Sequence, residues 1–210
     1  MKSQDILLLL KLVSLHGSHK KPFKKSQIVD FNAEWKQWKV SELTPDYIEI
    51  DSSKSLFSVR GLANQTGISK SQASLSLNRC IDIGLAKLDR KTLLPKANAK
   101  ALMEFIVYGI RYVFPVKAGE VTRGIATSFA APMFKEKLIS LAELPPVWSD
   151  VKGNIKGVAI EPLHKNIRQA VNNDIVLYAL LALTDAIRLG KPRERNLASD
   201  KLSLLVTELQ

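Results

Sequence analysis

The sequence predicts a mainly α-helical protein of the α+β class, with a small β element and a mixed C-terminal part. Three observations lead to this prediction. Apolar residues recur at helical spacing near the N-terminus, in segment 58–82 and again after residue 170. Two short stretches between residues 85 and 96 flank a charged turn, which is typical of a hairpin. Between residues 109 and 162, glycines and five prolines divide the chain, so long regular helices are not expected there.

Composition favours a folded protein with a polyanionic partner. Of 210 residues 46% are hydrophobic, and the formal net charge is +11. Residues 1–96 hold 16 Lys and Arg against 9 Asp and Glu, whereas residues 97–210 hold 15 against 11. The positive excess therefore lies mostly in the N-terminal half, as expected of a nucleic-acid-binding region. A merely solvated basic surface is the alternative, so charge alone does not decide.

The single cysteine and the first apolar run indicate a compartment. Cys80 cannot form an internal disulfide and lies on the apolar side of its helix, so we expect a buried thiol in a reducing environment. Lys11 interrupts the apolar run of residues 6–10, and no small-residue cleavage site follows it. We therefore expect neither a signal peptide nor a membrane span, and a cytoplasmic protein.

Residues 3–16 predict a first helix, with Ser3 as its cap and an apolar stripe formed by Ile6, Leu9, Leu10 and Val13. His16 and His19 follow at a spacing that metal sites use, but no further His or Cys lies near them, so no metal site is predicted.

Residues 20–56 form an insertion, because they separate the first helix from the next by more than a short connection needs. The basic run 20–25 is equally compatible with a phosphate contact and with a solvated loop. Trp35 and Trp38 predict an aromatic face on a short helix, which we expect to dock on the core.

Segment 58–82 predicts two helices joined by a tight turn. Ser58 is placed to cap the first helix, and Gly67 supplies the left-handed residue of the turn. Ser69 and Gln72 form the capping-box pattern that marks the start of the second helix. This is the geometry of a helix-turn-helix, whose second helix enters the major groove of DNA.

The two faces of the second helix differ in chemistry. Small or apolar residues at 73, 76, 77 and 80 predict an inner face. The outer face carries groups suited to base edges: amides at 72 and 78 for adenine, a guanidinium at 79 for guanine or a phosphate, and an apolar group at 75 for a thymine methyl. Partial burial against the next element is the alternative for Leu75. The predicted contact residues of this helix are Ser69, Lys70, Ser71, Gln72, Ser74, Leu75, Asn78 and Arg79.

Beyond the helix, Gly84 ends it, residues 85–89 alternate as a strand, and residues 93–96 return after a charged turn. With this pattern, residues 56–96 resemble the winged helix-turn-helix transcription regulators of the MarR and ArsR type. The matching positions are Leu62, Ala63, Thr66, Gly67, Ile68, Ser69, Ala73, Leu77, Cys80, Gly84, Leu85, Asp89 and Arg90.

The resemblance implies duplex-DNA binding, with Lys87, Arg90 and Lys91 of the wing on phosphates, and a homodimer that places two reading helices about one DNA turn apart. A winged helix kept as a scaffold or used to bind protein is the alternative, because the same pattern occurs in such domains.

Two domains are predicted. Residues 1–108 form the DNA-binding domain with its insertion, and residues 109–210 form a mixed α/β part for sensing, dimerisation or partner binding. Within the second part we expect a strand at 111–115 and a second hairpin over 148–160 with its turn at 152–154. We also expect a helix over 170–189 capped by Asn173 or Asp174, and a final apolar stripe from Leu197 to Leu209.

No phosphate loop, nucleophile elbow, zinc spacing or paired catalytic carboxylates are found in the sequence, so no enzyme activity and no cofactor are predicted. The predicted function is a cytoplasmic, homodimeric repressor that binds double-stranded DNA and receives a small-molecule or protein effector at residues 109–210. The runner-up is a winged-helix adaptor or antitoxin-like component that holds another protein. An enzyme acting on nucleic acid ranks third.

Overall fold

The structure, a computed structural model, describes residues 1–20, 53–134, 144–172 and 174–210. It is a mixed α+β structure in which helix predominates. Most of the insertion, including its two tryptophans, and Asn173 lie outside the described residues. Within the described part, no helix has both the length and the apolar character needed to cross a membrane.

The N-terminal elements follow the predicted order of helices and hairpin. Strands β1 and β2 pair antiparallel, with Lys87 opposite Lys96, which confirms the predicted hairpin. The elements are α1 (Ser3–Lys20), α2 (Ser53–Leu56), α3 (Val59–Thr66), α4 (Lys70–Asp82), β1 (Ala86–Leu88) and β2 (Pro95–Ala97).

Helix α1 is the centre of the molecule and not a surface helix with one apolar stripe. Leu7, Leu8 and Leu12, outside the predicted stripe, are as fully buried as Ile6 and Leu9. A helix that is apolar all round is covered on all sides. Helix α1 contacts α3, α4 and β2 and also the long C-terminal helix described below, so it joins both halves of the chain.

A continuous helical segment crosses the predicted domain boundary at residue 108. It consists of α5 (Ala99–Glu104), a π-helical turn (Phe105–Gly109) and α6 (Ile110–Val113). Asn98 caps it by accepting a hydrogen bond from the Ala101 N–H at 3.4 Å. The predicted strand at 111–115 is wrong, because the helical spacing that buries Ile106 also buries Ile110 and carries the helix to Val113.

Three strands form a small closed sheet after this segment: β3 (Ala118–Ala126), β4 (Pro146–Ser149) and β5 (Ile155–Ile160). Strand β3 pairs antiparallel with both others, so β4 and β5 run parallel. Strands lie on both sides of residues 152–154, where the turn of the second hairpin was predicted, but the antiparallel pairing that a hairpin requires is wrong. Gly124 pairs with Ser149 and also with Ile155, and a side chain at 124 would collide with the Trp148 backbone.

The C-terminal helices are α7 (Ile167–Val171), α8 (Ile175–Leu189) and α9 (Pro192–Glu208). Asp174 caps α8 by accepting from the Leu177 N–H at 2.8 Å, which confirms one of the two predicted caps. The helix predicted from residue 170 is two helices with a break before this cap. Helix α8 is buried along most of its length and packs on α9 and α1. The buried apolar residues of both halves form one cluster.

Candidate nucleic-acid interface

Helices α3 and α4 both begin at the serine caps that the sequence predicts. The Ser58 hydroxyl accepts from the Gly61 N–H at 3.0 Å, and the Ser69 hydroxyl accepts from the Gln72 N–H at 3.4 Å. Gly67 lies between the helices at φ 69°, in the left-handed region that glycine adopts without steric cost. Ser58 and Gly67 therefore mark the two ends of α3, and Ser69 marks where α4 begins.

The inner face of α4 is buried as predicted, whereas only part of the predicted outer face is exposed. Ala73, Ser76, Leu77 and Cys80 are buried against the core. Burial raises the pKa of the Cys80 thiol to about 12. On the outer side, Leu75 is 52% exposed. The exposed positions of the predicted set on α4 are Ser69, Lys70, Ser71, Leu75 and Asn78, whereas Gln72, Ser74 and Arg79 are half-buried.

Gln72 is engaged by α1. Its side-chain oxygen accepts a hydrogen bond from Gln4 Nε2 at 3.1 Å. The reciprocal arm of the predicted capping box, from the Gln72 side chain to the Ser69 N–H, is therefore replaced by a contact to a residue 68 positions away. Gln4 holds the Gln72 amide at the edge of the outer face.

Arg79 forms an ion pair with a fully buried carboxylate of α1. Its Nη2 and Nε donate to Asp5 at 2.6 and 3.2 Å, and the Ser76 hydroxyl donates to the same carboxylate at 2.6 Å. Burial pushes the pKa of Asp5 upward, but hydrogen bonds from Arg79, Ser76 and the Lys2 backbone together hold it below its ordinary value. The charged pair therefore fixes α4 against α1.

The hairpin places three cations beside α4. Lys87 on β1 and Arg90 and Lys91 in the turn are all exposed. Asp89 closes this turn, since its carboxylate accepts from the N–H groups of Thr92 at 2.9 Å and Lys91 at 3.0 Å. These backbone donors lower the pKa of Asp89. The negative charge of Asp89 thus stabilises the turn by accepting hydrogen bonds from its backbone.

The charge of this region is strongly one-sided. Residues 53–100 contain nine Lys and Arg and two carboxylates, Asp82 and Asp89. Residues 144–210 contain nine Lys and Arg and seven carboxylates. Residues 53–100, which include α4 and the hairpin, therefore carry a net positive charge, a property that attracts a phosphate backbone.

Sequence reasoning missed the two α1 residues that support α4. Gln4 and Asp5 stand directly before an apolar run, where a polar residue reads as the start of a helix. A signal was present, since Asp5 lies in the first turn of a helix whose next five residues are all apolar. Its partner, 74 residues away, has no sequence signature.

Two residues of the C-terminal part touch the turn between α3 and α4. The Asn166 side chain donates to the Gly67 carbonyl, and Gln169 Nε2 donates to the Asn64 carbonyl at 3.3 Å. The C-terminal part therefore contacts the backbone of the candidate site.

Among the described residues, no group of three or more His, Cys, Asp or Glu side chains is spaced to hold a metal ion. Comparisons with models of protein families, with curated proteins and with solved structures found no match to this chain.

Proposed function

We propose that this protein is a sequence-specific transcription regulator that binds duplex DNA, with residues 58–97 acting as a winged helix-turn-helix. One observation carries the proposal: α4 begins at a capped N-terminus and exposes polar and basic side chains beside a basic hairpin. A helix of this kind fits the major groove with its N-terminal turns toward the base edges.

The exposed side chains divide into base-reading and phosphate-binding groups. The Asn78 amide is suited to adenine, Leu75 to a thymine methyl, and Lys70 to guanine or a phosphate. The exposed Ser69 and Ser71 and the half-buried Ser74 supply hydroxyls for bases or phosphates. In the wing, Lys87, Arg90 and Lys91 bind phosphates.

Gln72 and Arg79 have a different place in this proposal, because both are held by α1. The hydrogen bonds to Asp5 fix the Arg79 guanidinium, so Arg79 contacts DNA only where this fixed position brings it close to a base or a phosphate. Gln72 reads a base only if its amide gives up the hydrogen bond from Gln4, or if it binds Gln4 and the base at the same time. The anchored pair sets the orientation of α4, and the exposed residues read the sequence.

The regulatory part of the proposal is a homodimer that occludes a promoter and receives its signal through residues 109–210. The contacts of Asn166 and Gln169 with the turn around Gly67 support a route for that signal. A ligand that moves α7 would move the turn that sets the angle between α3 and α4.

The first test is sequence discrimination by the full chain. A preferred duplex is selected from a random library, and binding to it is compared with binding to a random duplex by fluorescence anisotropy. We expect Asn78→Ala to lose about 1–3 kcal/mol of discrimination. Asn196→Ala, an exposed asparagine on α9, is the matched control and should leave discrimination unchanged. Equal behaviour of the two variants would contradict major-groove reading by α4.

The second test is the salt dependence of binding. Lys91→Ala should weaken binding to all duplexes alike and reduce the slope of log affinity against log salt by about 1. Lys156→Ala, an exposed lysine on β5, should leave the slope unchanged. If Lys91→Ala and Lys156→Ala lower the slope equally, the wing has no special role in binding phosphates.

The alternative is a protein-binding adaptor or antitoxin-like component. Tyr108 and Tyr112 favour it, because both are 75% exposed on successive helical turns, and exposed aromatic residues are enriched where proteins meet. The adaptor proposal would replace the regulator proposal if the protein purifies with a stoichiometric protein partner and has no affinity for any duplex.

A further inference from the structure

The tip of the hairpin presents a leucine in an unusual backbone conformation. Leu93 has φ 56° and its side chain is 72% exposed. Glycine or asparagine normally occupies left-handed turn positions, because a larger side chain is strained there. The position thus carries two unfavourable features, strain and an apolar side chain in water, that a glycine would remove.

The turn holds Leu93 outward by a closed set of hydrogen bonds. The Leu93 N–H donates to the Asp89 carbonyl and the Asp89 N–H donates to the Leu94 carbonyl, both at 2.9 Å. The next residue, Leu94, packs against the core, so the chain reverses the side-chain direction between positions 93 and 94. Leu93 is therefore fixed on the outer side of the hairpin.

The chemistry around Leu93 favours a polyanion over an apolar protein groove. Arg90 and Lys91 are exposed on the same turn, and Lys87 is exposed on the strand that leads to it. The one carboxylate of the turn, Asp89, is occupied by the N–H groups of residues 91 and 92. An apolar group flanked by cations matches a nucleic-acid groove, because the apolar group can meet the bases inside the groove and the cations can meet the phosphates along its rim.

We propose that Leu93 is an apolar wedge that enters the minor groove of duplex DNA and partly unstacks one base step, while Arg90 and Lys91 bind the flanking phosphates. This inference rests on the proposed function and adds a second readout to it. Apolar side chains inserted in this way kink the duplex, and pyrimidine–purine steps unstack most easily. The wedge therefore favours sites with a TpA or CpA step under the hairpin.

The test uses the full chain and a duplex with a central TpA step in which 2-aminopurine replaces the adenine. The fluorescence of this base rises when it unstacks, and end-labelled fluorophores report the bend. Leu93→Asn removes the apolar group and suits the left-handed backbone, so folding is retained. Leu93→Met keeps an apolar wedge, and Leu204→Asn changes a leucine that is 66% exposed on α9.

Wild type, Leu93→Met and Leu204→Asn should raise the fluorescence and bend the duplex. Leu93→Asn should lose most of both signals and bind the TpA duplex about tenfold more weakly. Binding by wild type without unstacking, or equal signals from Leu93→Asn and wild type, overturns the wedge and leaves the proposed function standing. Absence of binding to any duplex by wild type overturns both.

Discussion

Two buried aspartates, one in each half of the chain, hold arginines in different ways. Asp5 of α1 binds Arg79, whose side chain remains 31% exposed. Asp185 of α8 binds Arg188 at 2.6 Å, and both side chains are almost completely buried. The Asp185 carboxylate also accepts from Trp148 Nε1 at 2.6 Å and from the Thr127 hydroxyl at 3.2 Å.

The pKa values of the two carboxyls are displaced in opposite directions. Complete burial raises the pKa of Asp185, although Arg188, Trp148 and Thr127 oppose the rise. The pKa of Asp5 is lowered, because burial raises it but hydrogen bonds from Arg79, Ser76 and the Lys2 backbone together outweigh that rise. The Asp185–Arg188 pair thus lies in an interior without contact to solvent. The Asp5–Arg79 pair holds a surface helix, and its arginine remains partly exposed to water.

The largest effect is expected where the pair is driest. Asp185→Asn should lower the free energy of unfolding by about 3–5 kcal/mol, because it leaves Arg188 as an unpaired buried charge. Urea denaturation measures this loss, and Asp200→Asn on the exposed side of α9 should change stability by less than about 0.5 kcal/mol. A loss below about 1 kcal/mol for Asp185→Asn would mean that Arg188 finds water, and the contrast between the two pairs would disappear.

A smaller effect with a pH signature is expected at the other pair. Asp5→Asn should cost about 1.5–3 kcal/mol at about pH 7, since it removes a charged acceptor of several hydrogen bonds. The folded-state pKa of Asp5 is depressed, so its stabilisation is present above the unfolded pKa of about 3.9 and is lost as the pH falls through the folded value.

Unfolding titrations of wild type and Asp5→Asn across this acid range measure the change. The two stability curves should converge as the pH falls. Asp82→Asn, at the exposed end of α4, should run parallel to wild type. A difference between wild type and Asp5→Asn that stays constant down to the acid limit would show that the charge of Asp5 does not stabilise the fold.

The smallest effect concerns the contact between the halves. Gly67 and Gly84 both have positive φ, 69° and 76°. A methyl group at Gly84 would meet nothing within 4 Å, whereas one at Gly67 would lie 2.5 Å from Gln169 Oε1. Gly84→Ala should therefore cost about 1–2 kcal/mol from backbone strain alone, and Gly67→Ala somewhat more.

A Gln169→Ala background separates the two contributions. In that background the cost of Gly67→Ala should fall toward the cost of Gly84→Ala, as measured by urea denaturation of the four variants. A remainder is expected, because a methyl group at position 67 would still lie 3.2 Å from Asn166 Cβ. If the background leaves the cost of Gly67→Ala unchanged, Gln169 does not press on the turn between α3 and α4, and the proposed route between the halves then rests on the Asn166 contact alone.

Within the candidate site, the inner face of α4 and the turn before it could be predicted from sequence, but the state of its outer face only in part. Exposure of Lys70, Ser71 and Asn78 agrees with the predicted outer face. Engagement of Gln72 and Arg79 by α1 was not predicted, because their partners lie 68 and 74 residues away. No spacing rule connects residues at that separation.

The sequence by itself determined the features that depend on neighbouring residues. The caps at Ser58, Ser69 and Asn98 and the left-handed turn at Gly67 follow from hydrogen bonds and backbone preferences that act within three or four positions. Tertiary structure alone decided the parallel pairing of β4 with β5, the all-round burial of α1, the ion pair between Asp5 and Arg79, and the burial of the Asp185–Arg188 pair. These depend on which distant surfaces exclude water together, and that choice minimises exposed apolar area and unpaired charge over the whole chain at once.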